Sequence, residues 1–339
     1  MIMLTRFLLP LLIFSALSAG AQKLVVSTSS FDFKPLDQAL VQNQKVLDKN
    51  FTVLVFKDSK IVYGKEMGES KANIPVGLGS TSKWLTAALT LMFVDQGKLS
   101  LDDKVSTYLP IFKSYGKAYI TIRQCLTHFT GIASPGFGNL HVGKYLNLEA
   151  EVNDIPKREI QTNPGTEFRY SDAGYAIVGR ILEVISKKPF DRLVKETLFR
   201  PLGMMRSTFS NMDGKAPDPA EGALCTPLDL LSFSAMVLGK GVYNGKRILS
   251  DSSMAELLKQ ETTPQEPKTV PQDMEGYNYA LGSWISAPGV YLAPSLSGSW
   301  AVVDLNKGYA AVIVVTKEFK EPQRSVFNAI KAAIDGAFP

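Results

Sequence analysis

The first pair of residues that could do chemistry is a serine placed three positions before a lysine. Ser80 and Lys83 lie in the segment LGSTSKW, at the start of a nearly unbroken apolar run. Residues three apart share one face of a helix. A serine hydroxyl needs a neighbour to take its proton, and a lysine can do so if burial leaves it neutral. The pair predicts a nucleophile with an amine base. The alternative is a polar helix start with a surface lysine.

The spacing alone does not decide between these interpretations, because the chain holds a second copy in Ser114 and Lys117. That copy has a glycine between its two residues and precedes a strand or loop. Ser80 instead opens a long helix predicted over 80–96, whose N-terminus offers free N–H groups and the positive end of a dipole. This context favours Ser80 as the reactive residue.

The sequence lacks the motifs of metal sites, of α/β-hydrolases and of nucleotide-binding loops. The only histidines are His128 and His141, and HExxH and paired CxxC motifs are missing, so a histidine-based metal site is not expected. The chain has no G-x-S-x-G elbow, which argues against an α/β-hydrolase. The segment GLGSTSKW fails as a phosphate loop because Ser82 and Trp84 flank its lysine. We therefore expect no nucleotide and no other cofactor.

The elements around this pair predict an α+β fold. Apolar spacing predicts helices over 36–48 and 80–96, the second apolar all round and hence buried. The segments TVLVFK and IVYGK read as two strands joined by a turn. Helices are predicted in DAGYAIVGRILEVIS, in TPLDLLSFSAMVLG and over 322–336, and a loop over 255–275. Three late strands follow from YNYALGSWIS, SWAVVDL and YAAVIVVT, with a hairpin turn at 306–308. Strands at both ends suggest one sheet completed by both termini.

Three separate segments carry a family resemblance. They are GLGSTSKWLTAALTLMFVDQGKLSLDDKVSTYLP, ITIRQCLTHFTGI and NPGTEFRYSDAGYAIVGRILEVISKKPFDRLVKETLFRPLGMMRSTF. They resemble the serine β-lactamase and penicillin-binding-protein superfamily, in its class C-like branch of serine hydrolases, esterases and D-amino-acid peptidases. The resemblance covers about residues 50–335. It implies the β-lactamase/transpeptidase-like fold, an antiparallel sheet flanked by helices with an inserted, mostly helical lobe. In one domain over 22–339, the sheet lobe would span about 22–75 plus 275–339 and the helical lobe about 76–274.

The same resemblance assigns roles to single residues. Ser80 would be the acylated nucleophile and Lys83 its proton acceptor. Tyr170, in RYSDAGY, matches the tyrosine of the family's Tyr-x-Asn motif and would carry the proton to the leaving group. Asp172 stands where asparagine is commonest, which changes the charge that faces a substrate. His128 matches a family histidine that positions loops, so we expect a structural role for it.

The third motif of the family departs most from its pattern. The family has Lys or His, then Thr or Ser, then Gly, on a strand beside the nucleophile. Without gaps this motif falls on residues 293–295, which read Ala-Pro-Ser, and a slipped register starts at Leu296 and continues with Ser297. Neither register supplies the cation that grips a substrate carboxylate, although Ser295 and Ser297 offer hydroxyls. The backbone N–H groups of Ser80 and Leu296 would form the oxyanion hole.

Composition and the N-terminus predict the location. The chain has 339 residues and a net charge of +5 without basic runs, so no nucleic-acid partner is expected. Residues 1–21 combine Arg6, a short apolar run and an Ala-Gly-Ala site, which describes a signal peptide cleaved before Gln22. The alternative is an uncleaved membrane anchor. We expect a secreted or periplasmic protein without a stable membrane anchor after cleavage. Cys125 and Cys225 lie in apolar contexts and should be buried free thiols.

Two functions from different classes follow. The first is an exported serine hydrolase that forms an acyl-enzyme on Ser80. Its partners would be small-molecule or peptide substrates, namely esters, amides, β-lactams or peptidoglycan-derived peptides. The second is a catalytically impaired, β-lactamase-like binding protein of the cell envelope, because its third motif is degraded.

Overall fold

The computed structural model describes residues 24–133, 145–210, 214–262, 268–271, 274–319 and 323–338. The predicted signal peptide over residues 1–21 lies outside these ranges, as does His141.

The secondary structure alternates short helices with strands of very different length. The α-helices are α1 Lys34–Gln42, α2 Ser82–Asp95, α3 Val105–Tyr108, α4 Ile111–Ser114, α5 Ile122–Leu126, α6 Leu148–Asp154, α7 Ala173–Ser186, α8 Phe190–Val194, α9 Pro227–Leu238, α10 Asp251–Leu258 and α11 Arg324–Gly336. The strands are β1 Phe51–Lys57, β2 Lys60–Met67, β3 Val76–Gly77, β4 Phe168–Arg169, β5 Leu224–Cys225, β6 Val242–Tyr243, β7 Lys246–Arg247, β8 Lys268–Thr269, β9 Asn278–Tyr279, β10 Trp284–Ala287, β11 Val290–Pro294, β12 Ser299–Asp304 and β13 Tyr309–Val315.

One sheet joins the two ends of the described chain. Its strand order is β2-β1-β13-β12-β11-β10-β9, and its neighbours pair antiparallel. The early strand β1 pairs along its whole length with the last strand β13, from Phe51 opposite Val315 to Lys57 opposite Tyr309. The α+β fold and the sheet completed by both termini are therefore confirmed.

Both faces of this sheet are buried, because alternate residues of a strand point to opposite faces. In β1, Val53 and Val55 belong to an apolar cluster shared with α1 and α11. Leu54, between them, belongs to a second cluster that contains most of α2, α7 and α9. Helices therefore cover the sheet on two sides, and α2 lies in the larger core.

The C-terminal strands differ in number from the prediction. Five are present, because YNYALGSWIS forms two short strands and Val290–Pro294 forms a further one. The interruption lies at Gly282, which has φ +81° and approaches the backbone of α2 so closely that a Cβ would lie 2.7 Å from Trp84 Cα. Glycine tolerates both conditions. The close packing of Gly282 against α2, the helix that carries Lys83, therefore separates strand β9 from strand β10.

Other predicted elements are largely present. The hairpin turn at 306–308 joins β12 to β13, and the predicted closing helix appears as α11. The loop predicted over 255–275 is wrong at its start, because α10 extends to Leu258. The first helix ends at Gln42 rather than near residue 48. The division into two lobes stays a prediction.

Two further sequence features can be placed. Cys125 and Cys225 are buried free thiols, as predicted. Among the described helices, none has the length and apolar character needed to cross a membrane.

Candidate active site

Ser80 lies in a tight turn rather than inside a helix. Residues Gly79–Thr81 form a single 3-10 turn, and α2 begins directly after it. Gly79 has φ +50°, and a Cβ there would lie 2.2 Å from Ser295 Oγ, so the turn requires glycine. Thr81 Oγ1 donates a hydrogen bond to the carbonyl of Ala293 at 2.7 Å. The turn is thus fixed against the end of β11, with the Ser80 side chain held at a defined place.

Lys83 is fully buried and surrounded by acceptors. Its Nζ lies 2.6 Å from Asp172 Oδ1 and 3.7 Å from Glu221 Oε1. It donates a long hydrogen bond of 3.5 Å to Ser80 Oγ and lies 4.9 Å from the centre of the Tyr170 ring. The structure therefore brings together Ser80, Lys83, Tyr170 and Asp172, all of which the sequence nominated.

The charge of Lys83 differs from the expectation. Burial by itself lowers the pKa of an amine, but the negative charges of Asp172 and Glu221 raise it, and the net result is a pKa well above the usual 10.5. These carboxylates therefore favour the charged ammonium form of Lys83. The prediction of an amine kept neutral by burial is wrong here, because burial is accompanied by two carboxylates.

Tyr170 contacts the nucleophile as a neutral phenol. Its hydroxyl is hydrogen-bonded to Ser80. Burial raises its pKa, and the opposing effect of the Lys83 charge is smaller. The ring packs against His128 and Trp284, with centroid distances of 4.4 and 5.4 Å. A protonated phenol fixed in this way can donate to Ser80 or to a leaving group.

His128 supports this arrangement from behind. Its Nδ1 accepts a hydrogen bond from the backbone N–H of Ser171 at 3.2 Å, and its Nε2 lies 3.0 Å from the Tyr279 hydroxyl. Burial and the Lys83 charge hold its pKa well below 6.5. A neutral imidazole that accepts at Nδ1 carries its proton on Nε2. His128 thus fixes the residue after Tyr170, in agreement with the predicted structural role.

Glu221 is the site residue that the sequence did not reveal. Ser80 Oγ donates a hydrogen bond of 2.8 Å to Glu221 Oε1. The segment before Glu221 is bound to α2, since Thr86 Oγ1 donates to the carbonyl of Pro219 at 2.7 Å. The segment after it is bound to the approach to Ser80, since Leu78 N donates to the carbonyl of Ala223 at 2.8 Å. No motif spacing links two residues 141 positions apart.

Further carboxyl groups surround the pair. Burial, with added repulsion from Asp172 and Glu221, raises the pKa of Asp218 to about 6. Burial and the charge of Asp218 raise the pKa of Glu151 to about 7. Asp218 Oδ1 also accepts hydrogen bonds from the N–H groups of Ala220 and Glu221, at 2.8 and 3.1 Å. Around Lys83 the site therefore holds more carboxylates than the lysine can neutralise.

The degraded third motif lies beside the nucleophile. After β11 ends at Pro294, residues 295–298 form a turn in which Gly298 N donates to the Ser295 carbonyl at 3.2 Å. Ser295 Oγ accepts hydrogen bonds from the N–H groups of Ser80 and Ser297, each at 3.1 Å. Pro294 lies beyond the last residue that pairs with β10, so its missing N–H leaves no gap there.

One of the two predicted oxyanion-hole donors, the N–H of Ser80, is therefore bound to a side chain of the protein. Ser295 Oγ fills the place on the Ser80 N–H that a substrate oxygen would take. Leu296, the other predicted donor, is 44% exposed in the same turn. The pairing of its N–H with that of Ser80 on a substrate oxygen stays a prediction, as do the substrate contacts of Ser295 and Ser297.

Comparison with known proteins gives the family. A family model described as Beta-lactamase matches residues 47–334. The chain belongs to the beta-lactamase family. This family of serine hydrolases includes relatives of penicillin-binding proteins and D-alanyl-D-alanine carboxypeptidases, and the resemblance seen in the sequence is thereby confirmed.

Individual relatives agree with this membership. The chain is 30% identical over 248 residues to penicillin-binding protein 4 of Amycolatopsis lactamdurans, which covers 62% of this chain and 63% of that protein. It is 30% identical over 236 residues to a protein of Salmonella agona (strain SL483) provisionally named D-alanyl-D-alanine carboxypeptidase, which covers 59% of this chain and 54% of that one. The chain thus spans less than two thirds of the length of either relative.

A solved structure shows the beta-lactamase fold directly. A protein of Bacteroides dorei DSM 17855, provisionally assigned as a beta-lactamase, superposes with a TM-score of 0.79 at 24% identity. The match covers 90% of this chain and 100% of that one. The expected β-lactamase/transpeptidase-like fold is therefore confirmed.

Proposed function

We propose that this protein is a hydrolase that forms an acyl-enzyme on Ser80. The Ser80 oxygen attacks the carbonyl carbon of an ester or amide, the leaving group departs with a proton, and water then releases the acid. The proposal thus assigns to this chain the type of activity that its family carries out.

The observation that supports this function most is the polar environment of Ser80 Oγ. Its proton points at Glu221 Oε1, while Lys83 Nζ and the Tyr170 hydroxyl contact the same oxygen. A serine that merely capped a helix would need none of these partners, and the turn that holds Ser80 makes no side-chain cap. Groups that can take, hold and return a proton within hydrogen-bond reach are what acyl transfer through a serine requires.

The charges of the site support neutral or positively charged substrates. The third-motif segment offers the hydroxyls of Ser295 and Ser297 and no cation. Lys83 is already paired with Asp172 and lies near Glu221. A substrate carboxylate would meet repulsion, because like charges in a partly desolvated cleft are unfavourable. We therefore favour small esters and amides that do not depend on a terminal carboxylate over D-Ala-D-Ala peptides and β-lactams.

The location is part of this proposal. A signal peptide over residues 1–21 would export the protein to the periplasm or the medium, where peptidoglycan-derived amides are available. Its substrates would be small molecules or peptides.

An activity-based probe tests the function. A fluorophosphonate reporter should label the wild-type protein and fail to label Ser80→Ala. Labelling of both variants to the same extent would show that the reactive group lies elsewhere. Thermal unfolding of both variants checks that the substitution leaves the fold intact.

A second candidate function is an envelope-binding protein with little or no turnover. The observation that favours it is the Ser295 hydroxyl on the Ser80 N–H, where a substrate oxygen would have to bind. If the purified protein binds peptidoglycan fragments but never becomes acylated by reactive esters or penicillins, this function replaces the first.

A further inference from the structure

We propose that the carboxylate of Glu221, and not the amine of Lys83, accepts the Ser80 proton during acylation. This inference rests on the proposed acyl-enzyme function and assigns a catalytic role to a residue that the family motifs do not contain.

The direction of the hydrogen bonds supports Glu221. Ser80 has one hydroxyl proton, and it is donated to Glu221 Oε1 over 2.8 Å. Lys83 Nζ lies further away, at 3.5 Å, and donates to the serine oxygen. An ammonium has three donors and no lone pair, so it cannot accept a proton. In this arrangement the acceptor already in contact with the nucleophile is the carboxylate.

Lys83 is held in its charged form by its surroundings. It is fully buried, and its closest polar contact is Asp172 Oδ1 at 2.6 Å. Loss of its proton would leave that carboxylate without its cation, and it would remove the charge that compensates the carboxylate on the buried side of the pair. Lys83 therefore serves as the cation that keeps Asp172 and Glu221 together around Ser80, and it stabilises the Ser80 oxygen as negative charge develops there.

Glu221 is both fixed and accessible. The carbonyl of the preceding residue, Ala220, accepts from Lys83 Nζ at 3.4 Å, and the N–H of Glu221 itself is bound to Asp218. The Glu221 side chain is nevertheless 24% exposed. A substrate leaving group or a water molecule can therefore reach a carboxylate whose backbone does not have to move.

The proton balance is complete with the residues present. In acylation, the Ser80 oxygen bonds to the carbonyl carbon and its proton moves to Glu221. The bond to the leaving group then breaks, and the leaving group takes this proton, directly or by way of the Tyr170 hydroxyl. In deacylation, water attacks the acyl carbon while Glu221 takes a water proton. When the ester bond to Ser80 breaks, that proton returns to the serine oxygen.

The substitution Glu221→Gln tests this assignment. Glutamine keeps the side-chain length and an acceptor oxygen for Ser80, but it is not a base. We expect the rate of Ser80 acylation by an activated ester to fall by about 10²–10⁴-fold, the usual contribution of a general base. Intact-mass measurement of the acylated fraction over time gives the rate. Wild-type acylation that is constant near neutral pH and falls only in acid, where carboxyl groups take up protons, would support the carboxylate.

A matched control separates Glu221 from its neighbours. The groups facing it are Lys83, Tyr170 and Asp218, of which Asp218 titrates near pH 6. Asp218→Asn also replaces a carboxylate by an amide, yet Asp218 makes no hydrogen bond to Ser80, so the acid limb of the acylation profile should persist. Formate should restore part of the acylation rate of Glu221→Ala, and chloride at equal ionic strength should not. This rescue also distinguishes lost chemistry from a misfolded variant.

The outcomes are distinct. If Glu221→Gln is acylated within a few-fold of wild type, or if the wild-type rate keeps rising to alkaline pH as an amine loses its proton, Lys83 is the base and the assignment to Glu221 is wrong. The acyl-enzyme would stand in that case. If the wild-type protein is never acylated, the proposed function fails and Glu221 has no reaction to assist.

Discussion

Replacing Asp218 by asparagine should make the protein more stable at neutral pH. Asp218 is partly buried close to Asp172 and Glu221, and these conditions raise its pKa from 3.8 to about 6. A carboxyl group with a raised pKa binds its proton more tightly in the folded chain than in the unfolded chain. The contribution of Asp218 to the free energy of unfolding is therefore most favourable below about pH 4 and is lost as the pH rises from about 4 to about 6.

The two pKa values give the size of the effect. A difference of about 2 pKa units corresponds to about 3 kcal/mol, at 1.36 kcal/mol for each unit. Asp218 keeps some contact with solvent, which screens its charge. We therefore take about half of this free energy, or about 1–2 kcal/mol, as the expected gain in stability. An asparagine oxygen can still accept from the N–H groups of Ala220 and Glu221, so the local turn should be retained. The variant also relieves Glu151, whose pKa the charge of Asp218 helps to raise.

Thermal unfolding across pH measures this difference. At pH 7.5 the Tm of Asp218→Asn should exceed that of wild type by about 1–3 °C, as expected for a gain of 1–2 kcal/mol in a chain of this size. At pH 4 the two proteins should unfold at nearly the same temperature. A variant with an unchanged or lower Tm at pH 7.5 would refute the reasoning, because the buried negative charge would then have cost the fold nothing.

Two further predictions concern the substrate. Ser295→Ala frees the Ser80 N–H for a substrate oxygen, so acylation should speed up by about 2–10-fold, the equivalent of one net hydrogen bond of 0.5–1.5 kcal/mol. A slower rate in stopped-flow measurements with an activated ester would mean instead that the Ser295 hydroxyl itself donates to the substrate. Between two otherwise matched esters, one bearing an ammonium and one a carboxylate, the cationic ester should have the higher kcat/KM at low salt, since Asp172 and Glu221 face the cleft. A preference for the anionic ester would show that a cation outside this group dominates.

Local patterns in the sequence predict much of the fold. Strands β1 and β2 and helices α7, α9 and α11 were predicted from local apolar patterns, and all of them are present in the structure. Strand β11 was missed because it is short and ends in Pro294, and a proline in the sequence usually indicates the end of a strand. Helix α10 was missed because its polar residues continue without a boundary into a polar loop. Both errors have local causes, because a proline and an unbroken polar stretch hide where one element ends and the next begins.

The residues of the candidate site likewise fall into those that the sequence predicts and those that only the structure reveals. Ser80 and Lys83 are three residues apart, so helical geometry alone brings them together, and Tyr170 and Asp172 are neighbours in a recognisable motif. Glu221 belongs to neither group, since its hydrogen bond to Ser80 spans 141 positions. The raised pKa of Lys83 could not be predicted either, because a pKa depends on which carboxylates approach through space. Sequence can nominate a nucleophile, whereas the carboxylate hydrogen-bonded to it is seen only in the folded chain.

Intact-mass spectrometry after incubation with activated esters, D-Ala-D-Ala mimics and β-lactams tests the central claim most directly. The account predicts a mass increase equal to one acyl group, located by peptide mapping on Ser80, lost in Ser80→Ala and formed more readily from the esters. A protein that stays at its unmodified mass with every reagent, or that carries the acyl group on another residue, would contradict it.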